Sequence, residues 1–105
     1  MNDMDTEYTE GEVYFRLTYP DAELLFPLMD TFVFVGKNLG DQDTEDTWYF
    51  QFADSYAKSG SILKSKGGDR KVCVATRRDL RDMLNLARLI EELNMAAARR
   101  GSTRR

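Results

Sequence analysis

The chain of 105 residues has no histidine, one cysteine and two prolines. Without an imidazole it lacks the commonest general base and the commonest metal ligand, which removes most hydrolytic and metal-assisted chemistries from consideration. A single cysteine excludes an internal disulfide. Cys73 sits in the apolar run Val72-Cys73-Val74-Ala75, without the basic, half-exposed setting that activates a thiol, so it is expected to be a core residue in a reducing compartment. Long apolar runs are missing as well. Ala22 to Met29 is interrupted by Glu23 and Pro27, and Met95 to Ala98 is short, whereas a bilayer span needs about 20 residues. The opening Met1-Asn2-Asp3-Met4-Asp5-Thr6-Glu7 is acidic where a targeting segment carries positive charge, so a cytoplasmic protein without membrane contact is expected.

Cofactor and metal motifs are equally scarce. Gly36-Lys37 and Lys66-Gly67-Gly68 do not fit the G-x-x-x-x-G-K-[ST] frame, and no dinucleotide fingerprint occurs, so no cofactor is expected. Asp41, Asp43 and Glu45 alternate as the first ligands of a calcium loop do. Asp46 then falls where such a loop needs glycine, and Phe52 where it needs a bidentate glutamate, which makes a solvated acidic loop the reading and leaves no metal site. With no nucleophile, base or cofactor loop to assign, the chain is not expected to be an enzyme.

What the sequence does contain is a strand pattern around Thr47-Trp48-Tyr49-Phe50-Gln51-Phe52. Trp48, Phe50 and Phe52 alternate with Tyr49 and Gln51, the period of a β-strand. Asp30 to Gly36 reads as its partner, with Phe32 and Phe34 on one face and Thr31, Val33 and Val35 on the other, which predicts burial on both sides. Glu12 to Tyr19 alternates as a first strand, and Lys71 to Ala75 as a later one. Between them, Pro20 to Phe26 reads as a short helix stopped by Pro27, or Ala22 to Phe26 as an extended segment. Lys37 to Asp46 is too long for a tight turn, and Ala53 to Gly60 reads as a turn of helix or an irregular corner. Ser61 to Leu63 suggests a short edge strand, followed by a flexible turn from Ser65 to Asp69.

Thr76 with Asp79 forms a candidate capping box opening a helix that runs to about Arg100. Gly101 is its expected stop. The predicted fold is α+β: an antiparallel sheet of three to five strands with one long C-terminal helix packed on one face. Met83, Ala87 and Ile90 are the helix positions expected to meet the Trp48, Phe50 and Phe52 face. The predicted organisation is a disordered acidic tail over residues 1–11, one domain over 12–100 and a basic tail over 101–105.

Two features carry the functional expectations. The apolar arc of the C-terminal helix is wider than one sheet contact needs, and Leu86, Leu89, Leu93 and Ala96 extend beyond the sheet-facing stripe. They are the candidate interface residues of a protein–protein interaction module that self-associates or binds another protein. The second feature is charge. Residues 1–54 hold 13 acids and two bases, and residues 55–105 hold five acids and 13 bases. The halves are expected to neutralise each other, or else to form a two-signed surface. Lys71, Arg77, Arg78 and Arg81 gather near the predicted helix start, where cations oppose the macrodipole, and are the candidate anion-binding residues. A sequence pI near 4.9 makes nucleic acid the secondary partner reading.

Overall fold

The computed structural model describes residues 8–40, 44–64 and 71–103. Strands β1 (Val13–Thr18), β2 (Leu28–Lys37), β3 (Thr47–Phe52) and β4 (Val72–Thr76) form one antiparallel sheet in the order β1-β2-β3-β4. Helix α1 (Ala53–Ser59) follows β3, and a 3-10 helix over Arg77–Asp82 leads to helix α2 (Leu86–Thr103). This is the predicted α+β class. The Thr47 to Phe52 strand is interior, paired on both edges, as its two-sided burial pattern requires.

Register explains the core. Tyr14 lies opposite Phe32, Phe32 opposite Phe52, Phe34 opposite Phe50, and Trp48 opposite Ala75. Directly opposed residues share a face, so one side of the sheet is a continuous aromatic layer. Phe34 and Phe50 pack with tilted rings, centroids 5.2 Å apart, and Phe32 and Phe50 meet edge to face at 6.3 Å. Leu80 and Met83 cover the layer together with Tyr8. Val33 and Val35, on the reverse face, are also buried. There Gln51 donates to Ser55 Oγ and to the Gly60 carbonyl, both at 3.0 Å, and accepts from the Ile62 N–H. Gln51 is fully buried, and its hydrogen bonds to α1 and the following turn offset the penalty of hiding an amide.

Several expectations are corrected. Tyr8 to Gly11, assigned to a disordered tail, belong to the fold: Tyr8 packs its ring against Tyr14 and Phe50, and its hydroxyl donates to the carbonyls of Leu80 and Met83. One apolar ring with two buried acceptors repays the ordering of this short segment. Residues 1–7 lie outside the described residues, as do Asp41, Asp43 and the Ser65 to Asp69 turn. Pro20 to Phe26 is a chain of turns, because the Asp21 carboxylate accepts from the N–H groups of Leu25 and Phe26 while Leu24 takes a φ of +60°. Ser61 to Leu63 is a turn closed by Lys64 N–H on the Ser61 carbonyl.

The largest correction concerns the C-terminal helix. Thr76 and Asp79 do form the capping box, yet it opens only the six-residue 3-10 helix. Leu80 and Met83 are drawn into the aromatic layer, and Leu84 then pairs with Phe15 at the β1 edge through backbone bonds of 2.7 and 2.8 Å. This satisfies part of an edge strand and breaks the helix. Asn85 restarts it, its Oδ1 accepting from Arg88 N–H at 2.9 Å as an N-cap does. Gly101 does not stop α2, which continues to Thr103.

Candidate interaction surface

Helix α2 meets the sheet mainly at β1, and beyond that it rests on the turns between β1 and β2. Leu89 and Ala96 are its buried residues, at 4% and 3% exposure. On the same side Arg99 donates from Nε to the Leu24 carbonyl (2.8 Å) and from Nη2 to Tyr19 Oη (3.0 Å), with its guanidinium 5.3 Å from the Tyr19 ring centroid. At about 100° per residue, Leu89, Glu92, Ala96 and Arg99 fall on one face. Two of those four, Glu92 and Arg99, are charged. The aliphatic stem and fixed fork of an arginine allow it to serve as a docking residue.

The consequence is a second apolar row turned away from the molecule. Leu86, Ile90, Leu93 and Ala97 follow the 4-3-4 spacing of a coiled-coil seam. Leu86 and Ile90 are 58% and 51% exposed. Ala87 and Ile90, expected over the sheet, are both exposed, so only Met83 of that predicted stripe reaches the aromatic layer. Beside the C-terminal half of the row runs a groove of about 530 Å³. Leu25 to Leu28 form one wall, and Leu93, Ala96, Ala97 and Arg100 form the other. Phe26 and Leu28 are more than half exposed there, and the Arg100 guanidinium lies 4.8 Å from the Phe26 ring centroid.

Of the four interface candidates, Leu86 and Leu93 lie on this outward row, while Leu89 and Ala96 are spent holding α2 to its own chain. Sequence reasoning missed Phe26 and Leu28, and placed Ile90 on the wrong face. The 86-90-93-97 spacing was a usable signal. Which of two apolar stripes docks inward was not encoded in it.

The four anion-binding candidates do not converge. Arg77 Nη2 lies 3.2 Å from Asp46 Oδ2, its guanidinium 5.2 Å from the Trp48 ring centroid. Lys37 flanks the same ring at 4.9 Å and reaches the same carboxylate at 3.6 Å. Hydrogen bonding from Asn38 Nδ2, opposed in part by burial and aided by Lys37 and Arg77, holds the Asp46 carboxyl below its ordinary pKa. Arg81 Nε donates to the Arg78 carbonyl at 3.4 Å, and Lys71 lends its carbonyl to Phe52 N–H. The Thr76 N–H and hydroxyl both engage Asp79 Oδ2, so an internal carboxylate occupies the start of the turn. The acidic and basic halves thus meet where Arg77 pairs with Asp46, and Arg99 also acts on Asp21. An ion pair this exposed adds little stability.

Cys73 packs against the core but is only half-buried, and Arg16 Nη1 donates to its sulfur at 3.4 Å, a basic neighbour from β1 that the apolar run Val72 to Ala75 did not reveal. Arg16 also pairs with Asp30 Oδ2, its directly opposed neighbour on β2, at 3.1 Å and lies over the Phe32 ring. Burial lowers the Arg16 pKa, but the bond to Asp30 and the nearby thiol outweigh it and raise it. Among the described residues no group of three or more Cys, Asp or Glu side chains is placed to hold a metal, and no helix is long and apolar enough to cross a membrane. No family model, curated protein or solved structure matches this chain.

Proposed function

We propose that the protein is a non-catalytic, cytoplasmic interaction module that self-associates through α2. The observation that carries this reading is the outward row Leu86, Ile90, Leu93 and Ala97, continuous with Phe26 and Leu28 across the groove. A large side chain exposes about 200 Å² when free, so the five large residues of this surface present roughly 500 Å² of apolar area, at the upper end of what a soluble monomer leaves in water. A second copy provides a matching apolar surface without any further gene product. The absence from the sequence of histidine and of a cofactor-loop motif supports the non-catalytic part of the reading.

Light scattering on the purified protein tests it, with dimers expected at micromolar concentration. Leu86→Glu combined with Ile90→Glu is expected to give monomers with unchanged circular dichroism, because both positions are exposed within the protomer. A wild-type protein that remains monomeric at high concentration sinks the proposal. Nucleic-acid binding is the secondary reading, supported only by the basic residues Lys71, Arg77, Arg78 and Arg81.

A further inference from the structure

We infer that the occupant of the Leu25 to Leu28 groove is Leu86 of a second copy, in an antiparallel two-fold helix pair; the inference rests on the self-association just proposed. The groove borders only the C-terminal half of the outward row, from Leu93 to Arg100. Leu86, in the N-terminal half, lines no part of the groove and is the most exposed large apolar residue among the described residues. A projecting residue at one end of a helix and a receptacle at the other are satisfied together when a copy is turned end for end. A two-fold interface makes both contacts at once.

Side-chain sizes agree with this register. An axis midway between Ile90 and Leu93 sets Leu86 opposite Ala97 of the partner subunit and Ile90 opposite Leu93 of the partner subunit. Large faces small at the ends, and two branched residues meet in the middle, whereas a parallel pair would crowd leucine on leucine at one end and leave alanine on alanine at the other. Ala87 and Asn94 flank the row directly, with Ala98 and the exposed Glu91 further round on that side, and helix dipoles run in opposition. The apolar area of the two copies is roughly 1,000 Å², which reaches the lower bound for a specific interface before any rim contact is added.

Cross-linking tests the geometry. In a Cys73→Ser background, Leu86→Cys chains carrying a tag are mixed with untagged Ala97→Cys chains and oxidised with oxidised glutathione, each variant first being checked by circular dichroism. The mixed disulfide is expected to exceed either homodisulfide by roughly tenfold, as proximity in one complex dictates. The pair Ile90→Cys and Leu93→Cys gives a second, independent reading with the same expectation. Predominant Leu86→Cys homodisulfide overturns the antiparallel arrangement, and so does a protein that is dimeric by light scattering yet gives no mixed disulfide with either pair. Both results leave self-association standing. A protein monomeric by light scattering overturns the two together.

Discussion

The aromatic layer of the sheet and the α2 attachment bury apolar side chains in different ways. In the layer, Phe32, Phe34, Trp48 and Phe50 come from two neighbouring strands, are held in register by backbone bonds and touch one another as well as their cover. Helix α2 is fastened by Leu89, Ala96 and the Arg99 bonds to Leu24 and Tyr19, with most of its other surface exposed. The radius of gyration of 15.6 Å exceeds the roughly 13 Å of a compact chain this long. One region is a closed core; the other is an attached arm with an apolar side to spare.

The sharpest way to break this contrast is to damage each region in turn. Phe50→Ala is expected to remove about 3–5 kcal/mol, most of the stability of a small domain, in a denaturant melt. A melt close to wild type would place the stabilising core elsewhere. Leu89→Ala is expected to remove about 2–3 kcal/mol locally. Hydrogen exchange is the measurement to use: α2 amides should exchange faster while those of β2 and β3 keep their protection, since an arm opens without the core. Equal loss of protection in both would show that they unfold as one unit.

Acid gives the smallest effect and touches the arm selectively. Burial raises the Asp21 carboxyl, but the N–H groups of Leu25 and Phe26 outweigh it, and its pKa lies below the ordinary value. A carboxyl lowered in the folded state contributes stability above its unfolded pKa and loses it as pH falls through the folded one. The protection of α2 amides, taken relative to the intrinsic exchange rate at each pH, is therefore expected to stay near-constant from neutral pH to about 5 and to fall below about 4. Asp21→Asn should shift exchange at neutral pH and flatten that acid response.

The same contrast separates what was legible in sequence. Period-two alternation of Trp48, Phe50 and Phe52 specified a strand, because a side chain's face in a pleated strand depends only on its neighbours along the chain. The Thr76 and Asp79 box was equally legible, being complete within four residues. Asn85 as a second N-cap was available as a residue type, but the leucines on both sides of it fit one continuous helix just as well.

Sequence alone thus determined the α+β class, the core strands and the presence of more apolar helix surface than one contact uses. Tertiary structure decided where that surface went. Tyr8 is committed by the carbonyls of Leu80 and Met83, more than 70 residues away. The helix break follows from the Leu84 pairing with the β1 edge, and the inward choice of Leu89 and Ala96 follows from where Leu24 and Tyr19 offer acceptors to Arg99. Periodicity describes how one element is divided into faces, but which face is buried is settled by the free energy of contacts with elements distant in the chain.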